Sequence, residues 1–220
     1  MAEMNQEHAR FNMIQQQIRP WEVLDDQVLG ILEQVSRDQF VPETFRGLAF
    51  ADTCIPLGND QFMMPPRVEA KLLQALAIQP TDRVLEVGTG SGFLTACLAT
   101  LGEYVISVDI YNEFTQEAGA KLREAGIQNV TLETGDAADG WRDQEPFDAI
   151  AITGALRLAP EAYKQQLKIG GRLFAVVGTS PVREALLVTR TGENQWSTEA
   201  LFETDLPELI NAPQPQAFTF

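Results

Sequence analysis

A single histidine and two cysteines in 220 residues leave little material for several kinds of chemistry. His8 lies in a polar leader, and Cys54 and Cys97 have no partners at metal-ligand spacing. A structural zinc site and a disulfide framework are therefore not expected. A serine or cysteine nucleophile activated by histidine would need His8 itself to reach it. Basic residues are also scarce: 16 Lys and Arg stand against 31 Asp and Glu, a net charge of −15. A surface of that sign repels phosphate backbones and anionic bilayers, which argues against nucleic-acid and membrane partners. No apolar run approaches the ~20 residues needed to span a bilayer. The opening residues carry no basic segment followed by an apolar one, so no secretory leader is read and a cytoplasmic location is expected.

What is present is ordinary for a globular chain: 45% hydrophobic and 21% charged residues, enough for one well-packed domain. Leu24, Val28, Ile31, Leu32 and Val35 recur at helical spacing with Asp25 as N-cap, after an irregular stretch around Pro20. Residues 40–66 are broken by prolines and read as loop with short helical turns. Val68, Leu72, Leu73, Leu76 and Ala77 predict an amphipathic helix ended by Gln79-Pro80. From residue 83 strands alternate with helices: strands over 84–87, 104–108, 130–132, 147–152 and 172–177, helices over 94–101, 114–125 and 160–167. Segments 185–189 and 196–202 read as a hairpin around residues 191–194. Alternation of this kind predicts an α/β fold with a doubly wound, mainly parallel sheet. Residues 1–65 read as an N-terminal helical and loop cap, residues 66–220 as the core, and the tail from Ala212 as extended.

The sharpest local signal is Val84-Leu85-Glu86-Val87-Gly88-Thr89-Gly90-Ser91-Gly92, a strand running through a glycine turn into a helix. Glycine permits positive φ and close approach of a ligand to the backbone. A dinucleotide fingerprint wants a small residue five positions after Gly88, where Phe93 stands. That departure counts against a nicotinamide oxidoreductase. A carboxylate precedes the turn instead, and Glu86 suits a cationic ligand better than a pyrophosphate. Asp109 ends the second strand, where it can take two ribose hydroxyls, with Ile110 beside it. Gly135-Asp136-Ala137 follows the third, where Asp136 can accept from an adenine amino group. Sulfonium, ammonium, ribose and adenine without phosphate describe S-adenosylmethionine. The cofactor-binding candidates are Glu86, Gly88, Thr89, Gly90 and Gly92, then Asp109, Ile110, Asp136 and Ala137. No metal site is expected.

At this point the chain resembles the protein-L-isoaspartate O-methyltransferases, class I enzymes with a Rossmann-like seven-stranded sheet. The resemblance rests on Arg37-Asp38-Gln39-Phe40-Val41-Pro42, Ile55-Pro56-Leu57-Gly58, the glycine turn, Pro146-Phe147-Asp148-Ala149-Ile150 and Leu167-Lys168-Ile169-Gly170-Gly171-Arg172-Leu173. It implies methyl transfer from S-adenosylmethionine to an isoaspartyl carboxylate of a protein or peptide. Two departures fall on the acceptor side. The family's Gln-Thr-Ile-Ser-x-Pro, whose serine lies beside the methyl-transfer site, reads Gln61-Phe62-Met63-Met64-Pro65-Pro66 here, so Met64 holds the hydroxyl position. The family's basic, apolar Arg-Phe-Val-Pro-Leu is replaced by Leu201-Phe202-Glu203-Thr204-Asp205-Leu206-Pro207, an acidic strip facing an acidic peptide. Met63 and Met64, counted with the cofactor-binding candidates, read either as packing under a loop or as an apolar lid over the cofactor's methyl group. Three outcomes stay open: an isoaspartyl acceptor, a small apolar metabolite, or cofactor binding without isoaspartyl methylation.

Overall fold

A computed structural model describes residues 2–141 and 146–215. The chain opens with helix α1 (Ala2–Asn12), then a wide turn over Met13–Ile18 and a 3-10 turn over Arg19–Trp21 that accommodates Pro20. Helix α2 (Asp26–Gln34) follows, capped by the Asp25 side chain, which accepts from the backbone N–H groups of Gln27 and Val28. Its buried Val28, Leu29, Ile31 and Leu32 join Met13, Ile14 and Ile18 in one apolar cluster with Val84, Ala149 and Phe174 of the main sheet.

The proline-rich stretch contains 3-10 turns, as expected, but also a hairpin that the sequence reading treats as loop. Strands β1 (Ile55–Gly58) and β2 (Gln61–Met63) pair antiparallel around Asn59 and Asp60, which have φ of 51° and 55°. Two consecutive left-handed residues make the tight turn whose twist suits a hairpin, and Asn and Asp tolerate it. Pro56 masks the strand signal; it is tolerated because the two-stranded ribbon consists of edges only. Helix α3 (Pro66–Leu76) starts on a proline, which needs no N–H there, and ends at Ala77, itself left-handed at φ 45°. The helix therefore stops before the Gln79-Pro80 breaker.

The remaining elements are β3 (Arg83–Val87), α4 (Phe93–Leu101), β4 (Tyr104–Asp109), α5 (Asn112–Glu124) and β5 (Val130–Thr134). They continue through β6 (Phe147–Leu156), α6 (Glu161–Gln165), β7 (Leu167–Thr179), β8 (Val182–Gly192) and β9 (Gln195–Glu203). One seven-stranded sheet has the order β5-β4-β3-β6-β7-β8-β9, parallel from β5 to β7 and antiparallel thereafter. Helix α6 ends before residue 167 because Leu167 already pairs with Phe147 as the start of β7. Asp148 pins strand starts rather than any site: its Oδ2 accepts from Arg83 N and Lys168 Nζ. Both faces are covered. Along β3, Val84 packs into one cluster and Leu85 and Val87 into a second on the opposite face. The chain passes from β3 to β4 on one side and returns to β6 on the other. The crevice above the carboxyl ends of these three strands is thus a topological switch point, where open α/β sheets bind ligands. No helix among the described residues is long and apolar enough to cross a membrane.

Candidate functional site

The glycine turn leaves β3 under tight constraint. Gly88 has φ 98°, and its N–H donates to Val108 O at 2.8 Å. Thr153, on β6, donates its hydroxyl to both Val87 O and Gly88 O at 2.9 Å, and a Cβ on Gly88 would overlap that oxygen. Gly90 has φ 49° and donates to Asp109 Oδ2 at 2.9 Å. Gly88 rejects a side chain by conformation and by contact, and Gly90 chiefly by conformation, since a Cβ there would meet Leu57 Cδ1 at 3.2 Å. Gly92 N-caps α4 and is set back from the cavity. Phe93 is buried against Phe40 and under the Arg37 guanidinium, so the turn keeps the bulk that a dinucleotide site excludes.

The acidic candidates occupy three different environments. Asp109 ends β4 with Oδ2 on Gly90 N and Oδ1 on Tyr111 N at 2.9 Å. Burial raises its pKa, and those two backbone bonds pull it back. Glu86 lies in β3 just before the turn, as the sequence reading places it, and is fully buried at the inner wall. Its Oε2 accepts from Thr95 Oγ1 at 2.5 Å and Ser107 Oγ at 2.6 Å, while Oε1 has no partner. Burial pushes its pKa up to about 8, despite the two hydroxyls, so at neutral pH the group is largely protonated. Thr89 joins the same chain through Ser107 Oγ at 2.6 Å. Asp136 lies in an exposed turn after β5, with Oδ1 accepting from Ala138 N at 3.0 Å and Oδ2 from Asn211 Nδ2 at 2.8 Å.

These groups face a cleft of about 870 Å³ open to solvent. Glu86, Gly88, Thr89, Gly90, Asp109, Ile110, Asp136 and Ala137 all line it, as do Met63 and Met64. The two methionines are buried, while Phe62 stands half-exposed at the rim. The Met64 position is held by the backbone. Arg37, buried beneath it, donates Nη2 to Met64 O and Nη1 to Ala49 O, each at 2.6 Å, and Nε to Glu69 Oε2 at 3.0 Å. Burial raises the Glu69 pKa and Arg37 opposes that rise.

Several lining residues escape the sequence reading. Glu69 had a signal: it falls in the apolar stripe of α3 at i, i+3 and i+4 to Leu72 and Leu73, where a lone carboxyl is anomalous. Thr153 and Gly154 had one too, at the end of the strand beside the glycine turn. Pro207, Leu209 and Ile210 had none. They belong to a strap after β9 that hydrogen-bonds along Ala155, with Ala155 N donating to Pro207 O at 2.8 Å and Leu209 N to Ala155 O at 3.0 Å. Of the acidic strip expected from the sequence, Asp205 is paired, as is Glu208 beyond it, while Glu203 stays exposed at the end of β9. Buried Arg183 reaches Asp205 Oδ1 and Glu208 Oε1 at 2.7 Å, as well as Leu206 O. Arg157 forks onto both oxygens of Glu208. His8 is exposed on α1 and absent from the cleft wall.

Gly88 and Gly90 leave the backbone of the turn bare along the cleft, Asp109 is an acceptor at its lip, and Glu86 Oε1 is an orphan buried oxygen in its wall. That donor and acceptor set fits S-adenosylmethionine. The family model of protein-L-isoaspartate(D-aspartate) O-methyltransferase matches residues 8–205. A Rhodopseudomonas palustris protein-L-isoaspartate O-methyltransferase is 35% identical over 213 residues, covering 94% of this chain and 98% of that protein. Protein-L-isoaspartate O-methyltransferase 2 of Pelobacter propionicus is 35% identical over 209 residues, covering 94% and 93%. The crystal structure of a Plasmodium falciparum protein of this kind, in complex with S-adenosyl-L-homocysteine, superposes with a TM-score of 0.77 at 19% identity, over 92% of this chain and 97% of that one. The chain belongs to the protein-L-isoaspartate(D-aspartate) O-methyltransferase family of S-adenosylmethionine-dependent methyltransferases.

Proposed function

We propose that the protein methylates the free α-carboxylate of an isoaspartyl residue, whose chain runs through the side-chain carbonyl, in a protein or peptide. The bound cofactor supplies a methyl group already activated on a sulfonium. The chain's own residues hold and orient. Asp109 accepts from the ribose hydroxyls, the Gly88–Gly90 backbone lets the cofactor approach closely, and Asp136 accepts from the adenine amino group. Met63, Met64 and Leu94 keep part of the cleft wall apolar and limit water there.

One observation carries the choice of acceptor: among the described residues, no side chain lining the cleft is poised as a general base. No Lys, Arg, His or Cys among them lines it. Asp109 and Asp136 are tied to backbone or amide donors, Glu69 is paired with Arg37, and Glu86 is largely protonated at neutral pH. An acceptor used here must arrive as a nucleophile. A carboxylate is ionised at pH 7 and meets that condition, whereas an amine or alcohol would need its proton removed. The compensated charges of the strap support the same reading, because Asp205 and Glu208 do not present a bare acidic wall to an anionic peptide. The loss of the family's two hydroxyls at Phe62 and Met64 removes positioning hydrogen bonds without removing the reaction's chemical requirements. A cytoplasmic setting belongs to this reading.

The test is the chemistry of the product. Labelled methyl transferred to an isoaspartyl peptide should leave as volatile methanol on mild alkaline treatment, the mark of a methyl ester. Label stable to base would mean a nitrogen or ether acceptor and would overturn the proposal.

A further inference from the structure

Asp136 occupies an exposed turn, where a carboxylate on its own would rotate freely, yet both of its oxygens are tied. The tie to Asn211 spans 75 positions of sequence and comes from the C-terminal strap, not from the strand ends that build the rest of the site. Asn211 is itself held in place. Its φ is 62°, a left-handed conformation that Asn tolerates better than most residues. Upstream, the strap is fastened by the Ala155 hydrogen bonds and by two arginines on Glu208. Downstream, Ala212 N donates to Leu209 O at 3.1 Å and Ala212 is buried in the second core cluster. Leu209 packs so closely over Gly154 that a Cβ there would lie 2.6 Å from its Cδ2. The amide therefore arrives at Asp136 on a fixed support, beside Leu209 and Ile210 in the cleft wall.

We propose that Asn211 is a positioning residue for the adenine end of the donor, turning the Asp136 carboxylate so that its remaining lone pairs select adenine over hypoxanthine. An ionised carboxylate has about four acceptor positions, of which Ala138 N and Asn211 use two. The exocyclic amino group of adenine donates to a remaining one. Hypoxanthine carries a carbonyl at the same place, so acceptor would face acceptor and both would stay unpaired. The inference rests on the reading of Asp136 as the adenine acceptor.

The experiment is calorimetric binding of S-adenosyl-L-homocysteine and S-inosyl-L-homocysteine to the full chain and to three variants. Asn211→Gly keeps the left-handed backbone accessible, Asn211→Asp keeps it and sets a like charge against Asp136, and Asp136→Ala removes the acceptor. The wild type should prefer the adenosyl ligand by roughly tenfold or more, the value of one hydrogen bond to a charged acceptor. Both Asn211 variants should narrow that ratio several-fold through weaker adenosyl binding, and Asp136→Ala should abolish it. If Asp136→Ala abolishes the preference while both Asn211 variants keep it, or weaken both ligands equally, Asn211 is only structural and the proposal is overturned. A preference absent from the wild type or unchanged in Asp136→Ala overturns the adenine reading and the proposal together.

Discussion

Asp109 is the candidate whose position was most legible in the sequence, because a carboxylate at the end of the second strand has few places to go but the lip of the switch-point crevice. If it holds the ribose as proposed, replacing it with Ala removes an acceptor for two hydroxyls, each hydrogen bond worth about 1.5–3 kcal/mol, and also frees Gly90 N. Affinity for S-adenosyl-L-homocysteine should fall at least tenfold in a variant with an unchanged circular dichroism spectrum; an unchanged dissociation constant would place the ligand elsewhere. Glu86 was only half legible. Its position was evident, but its burial depends on Thr95 and Ser107 closing over it from α4 and β4, which no local pattern announces. The consequence is a pH dependence of stability. With its pKa raised from 4.5 to about 8 in the folded state, Glu86 binds more protons folded than unfolded between those values. Its contribution is fully present below pH 4.5 and is lost as the pH rises through about 8, at up to about 1.4 kcal/mol per pH unit for one proton. In urea titrations from pH 5 to 8 without ligand, Glu86→Gln should gain stability relative to wild type as the pH rises. Parallel curves would contradict the assignment.

Elements were legible where periodicity alone decides them and obscure where a turn or a distant partner does. Helix α2 announced itself through its apolar spacing and Asp25 cap, and β3 to β6 through short apolar runs at regular intervals. The β1–β2 hairpin did not, because Pro56 breaks its pattern and its turn uses Asn59-Asp60 in place of a glycine pair. The strap did not either, since its placement comes from Arg157 and Arg183, far from it in sequence. Helix α3 carries the most testable packing feature. Its buried Glu69 is matched, among the described residues, only by Arg37, and that guanidinium also fastens the Met64 carbonyl. Breaking a buried pair by removing one partner costs about 3–5 kcal/mol. Arg37→Met should therefore destabilise by that order in urea unfolding, less at pH 5 where Glu69 can take a proton. Arg37→Met with Glu69→Leu should recover most of the loss. Additive losses in the double variant would show that the pair is not what holds α3 to the turn beneath it.

At the scale of the whole molecule, the fold class followed from alternation of strand and helix, and the donor site from the rule that a parallel sheet binds ligands where its winding reverses. The acceptor side was the least legible part. On the proposed reading its walls are the hairpin with Met64 and the strap, pieces joined only by tertiary structure, and reading their sequence alone gave no sign that Asp205 and Glu208 are ion-paired. On this reading the cleft has acceptors for a cationic donor and, among the described residues, no base for a neutral nucleophile. The most direct measurement is labelled-methyl transfer to two peptides of identical sequence, one with an isoaspartyl linkage and one with a normal aspartyl, at saturating cofactor. Transfer to the isoaspartyl peptide should exceed transfer to its aspartyl twin by at least tenfold, and Met64→Ser with Phe62→Thr should raise it further. Equal labelling of both peptides, or none in either while the cofactor binds normally, would contradict isoaspartyl carboxyl methylation by this protein.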